Sequence, residues 1–356
     1  MKENLYWTKI NKDYKHYPSL NSNETCDVVI IGGGISGCIT SYYLASYNID
    51  TILLEKNFLA ENSISRSLGF IEGTTDLSIL ELKKYIGEKK ALKANLLCKK
   101  SLDNLENILF CNDCLHLIEH KNVKYIDTTT NASTFKNCII VDPLKLCHTL
   151  LKKSQKKNCK IYENTTAIGY DYFSGEIKVK TSNSRYIKCK KIIFTDIFSS
   201  YKLIREWELL EFFNAHYIVT KPICNLNKDF FEKYSILKDN DDIYTYIRPT
   251  KDNRLMLSEF KGGSDEDKSA YLLSKLQDIL NYSKDLNIDY YFNKTYGESP
   301  DGLPYIGQHP KFNNCYFNLA LGRNNICYSL IGAEILKDLI LYNDTSNIDL
   351  FSFERV

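Results

Sequence analysis

The chain of 356 residues is 44% hydrophobic and 25% charged, the balance of a soluble globular protein with room for two domains, or one large discontinuous one, around ample core. With 46 Lys and Arg against 44 Asp and Glu the formal charge is +2, so no global field points to nucleic acid or a membrane surface. No run of about 18 apolar residues is present to span a membrane, the polar start Met1 to Trp7 lacks the apolar core of a signal peptide, and the 12 scattered cysteines suit the reduced thiols of a cytoplasmic protein.

Residues 27–55 read as a βαβ unit. Asp27-Val28-Val29-Ile30-Ile31 predicts a strand, Gly32-Gly33-Gly34-Ile35-Ser36-Gly37 a glycine-rich turn opening a helix, and Thr51-Ile52-Leu53-Leu54-Glu55 a second strand. Each part has a mechanical task in dinucleotide binding. Gly32 permits the tight turn, Gly34 lets the backbone close on a pyrophosphate, and Gly37 lets the helix pack on the strand. Glu55 stands where a ribose hydroxyl needs an acceptor. Only 16 residues are glycine, and four of them fall between 32 and 37; a chain so sparing with glycine uses it where backbone geometry requires it. The helix would aim its free N–H groups and dipole at the phosphates.

Further along, apolar residues at helical spacing predict a helix over 77–109. Cys111-Asn112-Asp113-Cys114 with His116 and His120 departs from the usual zinc-ligand spacing, so no metal site is expected. Asp142-Pro143 predicts an N-cap and first-turn proline for a helix through Leu150, followed by a strand at 160–163. Short alternating strands are expected over 167–195. Strands are expected again at 216–219, 243–247 and 254–257, with helices at 270–283 and 327–342.

Asp301-Gly302-Leu303-Pro304-Tyr305-Ile306-Gly307, the run from Asn318 to Ser329 and the helix beyond resemble the C-terminal flavin-binding signature of the D-amino-acid oxidase family, which includes glycine and sarcosine oxidases. Leu5-Tyr6-Trp7, Tyr17-Pro18-Ser19-Leu20, Val141-Asp142-Pro143, Tyr162-Glu163-Asn164-Thr165, Val219-Thr220-Lys221-Pro222-Ile223 and Tyr246-Ile247-Arg248-Pro249 resemble its earlier segments in order. With the predicted elements, this implies an α/β fold: a doubly wound, Rossmann-like FAD-binding domain from 1–76, 137–200 and 295–356. An α+β substrate domain on an antiparallel sheet, from 77–136 and 201–294, would be inserted into it.

The resemblance implies one FAD. Gly32, Gly34, Ile35, Ser36 and Gly37 would take the pyrophosphate, Glu55 and Lys56 the adenosine ribose, and Ala167 the adenine. Ser63, Ser65 and Arg66 would pass the flavin ring, and Thr195 would lie beside the cofactor. Gly302, Gly322, Asn324, Asn325 and Ile326 would form the loop against the ribityl chain and pyrimidine edge, with a helix N-terminus favouring the anionic reduced flavin. Three departures stand out. Thr195-Asp196 replaces the family's Thr-Gly, Gly322-Arg323-Asn324-Asn325 replaces Gly-Gly-Asn-Gly, and Tyr296 stands where amino-acid oxidases carry a carboxylate-binding Arg.

The chemistry this implies is oxidation of a small-molecule amine or amino acid by hydride transfer to flavin N5, with oxygen or another acceptor taking the electrons. Arg248 is the candidate cation for a substrate carboxylate, because Tyr244, Tyr246 and Arg248 alternate onto one strand face. Tyr246 and Tyr296 are the other candidates for substrate contact. Surface or packing roles are the bland alternatives for all three. His148 and His216 read as structural, and no Ser/His/Asp set is recognisable. The three departures motivate an alternative: a flavin-binding homologue without amine turnover, acting as a structural or partner subunit. An NAD-dependent dehydrogenase fits 27–55 but leaves the C-terminal signature unexplained.

Overall fold

The fingerprint strand Val28–Ile31 is an inner strand of a six-stranded sheet in a computed structural model of the chain. The structure describes residues 5–14, 16–59, 63–111, 114–127, 132–173, 175–198, 200, 210–224, 226, 236–238, 243–261, 268–280, 286–319 and 321–355. The order across the sheet is Tyr305–Gln308, Cys315–Leu319, Lys191–Phe194, Val28–Ile31, Thr51–Leu54 and Cys159–Tyr162. All neighbours run parallel except the edge strand Tyr305–Gln308. The unbroken apolar run Val28 to Ile31 follows from this position, since both of its faces are covered. Val28 and Ile30 pack towards the helices Ile35–Ser46, Pro143–Gln155 and Asn325–Tyr342. Val29 and Ile31 pack the other way, against Ile177, Val179 and Ile187. The fold is α/β, as expected, and a four-stranded sheet formed by Glu24–Thr25, Tyr186–Cys189, Glu176–Thr181 and Ala167–Phe173 covers the second face.

An eight-stranded sheet forms the other wall of the molecule. Its order is Ile288–Glu298, Glu211–Thr220, Leu255–Phe260, Tyr244–Pro249, Ile236–Lys238, Ile118–Asp127, Ala132–Val141 and Phe70–Glu72. It is antiparallel apart from the pairing of Ile236–Lys238 with Ile118–Asp127. Its inner face is aromatic, with Tyr217, Tyr246, Phe260, Phe292 and Tyr296 buried against the α/β part. The helix Lys268–Leu280 covers the outer face through Leu272 and Leu276; residues 281–283, expected to continue it, lie outside the described residues.

Two boundaries differ from the sequence expectation. Phe70–Glu72 and the end of Ala132–Val141, assigned by sequence to the FAD-binding part, are strands of the eight-stranded sheet. The predicted helix over 77–109 is two helices, Ile79–Ile86 and Glu88–Phe110, because Gly87 takes φ +79 between them and a Ser78–Glu81 capping box starts the first. The second lies on the α/β side: Lys100 Nζ and Asn104 Nδ2 reach Glu334 at 3.0 and 2.6 Å. Asp142 caps Pro143–Gln155 as expected, accepting from the Leu144 and Lys145 N–H groups at 3.0 Å.

Candidate active site

The C-terminal ends of the parallel strands open into a cleft of about 420 Å³, the place where open α/β sheets take ligands. Gly32 leaves its strand at φ +111, and a Cβ there would lie 2.9 Å from both Thr195 Oγ1 and Asp196 Cβ. A Cβ on Gly37 would come 1.9 Å from the Gly32 carbonyl oxygen, so helix and strand pack only without a side chain. Gly34 precedes the helix Ile35–Ser46 and caps it with no side chain, leaving first-turn N–H groups facing the cleft. Ser36 Oγ donates to the Asn318 carbonyl at 2.7 Å, tying the helix start to the strand Cys315–Leu319.

Glu55 is buried at the rim, where its carboxylate accepts from Gly33 N at 2.7 Å and Asn57 N at 2.9 Å. Burial pushes its pKa up, against the pull of those two hydrogen bonds. Asp196 occupies the opposite lip, 3.6 Å from Lys56 Nζ, and Thr195 Oγ1 donates to the Ile31 and Gly32 carbonyls. Ser63, Arg66 and Ala167 also line this cleft, as do Gly322 and Asn325 from the far end of the chain. The arrangement brings together the parts an extended dinucleotide uses: a glycine cradle, a helix N-terminus and an acidic residue at the end of the second strand.

The remaining expected cofactor residues sit behind the lining. Ser65 and Ile326 are buried, and Gly302 turns at φ +70 beside Leu77. Asn324 acts as a clamp: its side chain accepts from Glu72 N and donates to the Glu72 and Thr74 carbonyls. The loop donors expected to face the flavin are partly engaged. Asp76 accepts from Arg323 N at 2.9 Å and Asn324 N at 3.2 Å, its pKa raised by burial to about 6 against the opposing charge of Arg323.

A smaller pocket of about 30 Å³ adjoins the cleft and shares Lys294, Tyr296, Gly322 and Asn325 with it. Its walls are Ser67 to Phe70, Tyr217 and Phe260, together with a chain of polar contacts. Tyr246 Oη donates to Glu72 Oε1 at 2.7 Å, and Arg323 donates to Tyr246 Oη at 3.4 Å and to the Asp76 carbonyl at 2.6 Å. The Arg323 guanidinium lies over the Tyr244 ring, 3.4 Å from its centroid. Tyr246 and Tyr296, each a candidate for substrate contact in the sequence, therefore line one pocket.

Arg248 does not join them. It is buried beneath the Gly69 turn, where Nη1 donates to the carbonyls of Leu68, Gly69 and Val141 at 2.7, 3.0 and 3.1 Å. That geometry ties the arginine's strand to two backbone segments, 68–69 and 141, and Arg248 does not line the pocket. The cation lining both cavities is Lys294, overlooked in the sequence. The signal was present: Tyr290, Phe292, Lys294, Tyr296 and Glu298 share one face of a strand, and in that row the lysine lies between two aromatics. Burial, with repulsion from Arg66, lowers the Lys294 pKa to about 8.

Comparison with known proteins agrees with this geometry. The family model described as FAD dependent oxidoreductase (DAO) matches residues 27–110 and 112–339. The glycine oxidase of Bacillus subtilis (strain 168) is 20% identical over 365 aligned positions, covering 92% of this chain and 96% of that protein. The glycine oxidase of Bacillus licheniformis is 21% identical over 370, covering 92% and 97%. Among solved structures, an L-amino acid deaminase from Proteus vulgaris shares the fold with a TM-score of 0.74 at 14% identity, covering 96% of this chain and 97% of that one. Glycine oxidase from Geobacillus kaustophilus does so with 0.69 at 16%, covering 94% and 100%.

Proposed function

The chain belongs to the family of FAD-dependent oxidoreductases, and from that premise we propose that it oxidises the C–N bond of an amine or amino acid. The substrate would give up a hydride from the carbon beside nitrogen to flavin N5, and water would hydrolyse the resulting imine. Bound FAD supplies the hydride acceptor, with oxygen or another oxidant restoring it. The observation that carries this reading is the junction of the two cavities, where Lys294, Tyr296, Gly322 and Asn325 face both. A substrate held in the inner pocket is thereby set against the inner end of the dinucleotide cleft.

The residues around the pocket have separable tasks. Phe70, Tyr217 and Phe260 exclude water. The amine must be neutral before a hydride can leave its carbon. Tyr246, hydrogen-bonded to Glu72, offers a route by which the ammonium proton passes to the phenol oxygen as the phenol proton moves to Glu72 Oε1. A second reading, a flavin-binding homologue without turnover, draws support from Asp76, whose carboxylate occupies two loop donors that would otherwise face the flavin.

The deciding experiment is a visible spectrum of the purified protein, followed by anaerobic addition of amines and amino acids. Bleaching of a yellow protein by one of them supports the proposal. A yellow protein that no amine bleaches favours the second reading, and a protein unable to take up FAD overturns both.

A further inference from the structure

We propose that the corner formed by the helices Ile79–Ile86 and Glu88–Phe110 docks on the surface of a bilayer that contains anionic lipid. The inference goes beyond the proposed oxidation and does not depend on it. The chain's total charge of +2 conceals an uneven distribution. Residues 79–100 hold seven lysines against two glutamates and no Asp or Arg, a surplus of five that leaves the other 334 residues at −3. Lys83, Lys84, Lys89 and Lys99 are exposed. The other three lysines mark the edge of the patch nearest the C-terminus. Lys90 lies 3.6 Å from Asp349, Lys93 donates to the Ser346 carbonyl at 2.7 Å, and Lys100 pairs with Glu334 at 3.0 Å.

Apolar side chains stand among these charges. Leu80 is 67% exposed, Tyr85 56%, Leu92 46% and Leu96 65%. Single exposed leucines are ordinary on a protein surface, but a cluster rimmed by charge marks a contact site. Helical spacing sets the placement. The second helix buries Ala91, Ala94, Cys98, Leu102 and Leu105 against the protein, so its opposite stripe carries Lys89, Leu92, Leu96 and Lys99 at steps of three, four and three. On the first helix Leu82 is the buried residue, and Lys83 and Lys84 follow the outward Leu80 by one turn. Each of these leucines therefore has an ammonium group within one turn, on a long flexible stem. Such stems lie along apolar surface while the charge reaches outward, which lets leucine enter the acyl boundary with lysine at the headgroups. Composition separates a bilayer from other occupants. Protein interfaces favour Arg and Trp and are poor in Lys, whereas every basic residue of this patch is Lys. A nucleic-acid backbone would match the lysines and leave the leucines against a polar, hydrated surface.

The test uses the full FAD-loaded chain with vesicles of phosphatidylcholine carrying about 30% phosphatidylserine, against vesicles of phosphatidylcholine alone. Cosedimentation measures binding, and the tryptophan emission of a Leu96→Trp variant reports entry of that position into lipid. The protein should bind the anionic vesicles and not the uncharged ones, and about 1 M salt should release most of it. Lys83→Gln combined with Lys84→Gln should weaken binding about 25-fold, from about fivefold for each lysine at a membrane surface. Leu92→Ser combined with Leu96→Ser should weaken it about 10- to 100-fold, and the Leu96→Trp emission should shift to the blue on anionic vesicles. Lys156→Gln combined with Lys157→Gln, an exposed basic pair outside the patch, should bind as the parent does. Failure to bind anionic vesicles overturns the proposal. Equal weakening by the two lysine pairs also overturns it, since any surface charge would then serve, and so does a Leu96→Trp emission that stays unmoved on bound vesicles. An oligomer that dissociates when Leu92 and Leu96 become serine, in a protein indifferent to vesicles, would overturn it in favour of a second copy on this face.

Discussion

Replacing Arg248 with Met separates the cation that the sequence favoured from the one the structure offers. Its Nη1 holds three carbonyls at 2.7 to 3.1 Å, and burial pulls its pKa down to about 10. Two effects therefore oppose one another. Losing the guanidinium leaves the Leu68 and Val141 carbonyls short of a donor, at about 1–3 kcal/mol each, while the Gly69 carbonyl still accepts from Val141 N at 2.9 Å. Removing the buried charge returns about 3 kcal/mol, the equivalent of that pKa depression. The balance is a destabilisation of about 1 kcal/mol, a fall in Tm of about 1–2 °C for a chain of this size. Thermal unfolding followed by circular dichroism measures it, and the flavin spectrum of the folded variant during addition of amines and amino acids reports on the pocket. Stability should fall slightly while flavin uptake and bleaching by amines and amino acids survive. An unchanged Tm, with the loss confined to bleaching by amino acids, would refute the reasoning and restore Arg248 as the substrate cation.

The other predictions concern the cofactor cleft and acid stability. Gly37→Ala places a methyl 1.9 Å from the Gly32 carbonyl, so the variant should purify without flavin; a normal flavin absorbance per chain would contradict this. Asp196→Asn removes a carboxylate from the lip beside Gly32 and should tighten FAD several-fold at low ionic strength. At about 1 M salt, where the Debye length is about 3 Å, that gain should vanish; a gain indifferent to salt would show the effect is not electrostatic. His148 stacks on Tyr14 at 3.9 Å, and burial lowers its pKa from 6.5 to about 4. Between those values the unfolded chain binds the extra proton, so stability falls as pH drops from about 6.5 to about 4, by at most about 3 kcal/mol. Urea unfolding of His148→Phe across that range should show a shallower acid loss than the parent, and parallel curves would exclude the histidine as its source.

The dinucleotide half of the site was legible because its signals are local. A strand, three spaced glycines and an acidic residue at the end of the next strand all fall within 27–55, and Gly32, Gly34 and Glu55 line one cleft. The inner pocket was legible only in part. Alternation put Tyr246 on the pocket face, yet gave no measure of where along the strand the pocket ends. Arg248 follows Tyr246 by two residues but lies beneath the Gly69 turn, a segment nearly 180 positions away that no local pattern connects to it. The same distance hid the Asp76 carboxylate beneath the 322–324 loop, 247 residues from Arg323. Lys294 carried a local signal, a charged residue in an inward-facing aromatic row. It was outweighed by the family's arginine position two residues later, now Tyr296.

The hydrogen bond from Ser36 to the Asn318 carbonyl joins residues 282 positions apart, and the strand order repeats the theme. Val28–Ile31 pairs with Lys191–Phe194, which in turn pairs with Cys315–Leu319. During synthesis, the fingerprint leaves the ribosome long before Lys191–Phe194, its neighbour on one side, and Cys315–Leu319 beyond that strand exist. At about 5–20 residues per second, the interval is roughly 15 to 60 seconds. The nascent glycine turn cannot hold a dinucleotide for lack of the opposite wall, and pairing across such separations closes slowly. Flavin uptake is therefore an event of the nearly finished chain. Because flavin then binds the native state alone, its supply adds stability only once the chain is finished.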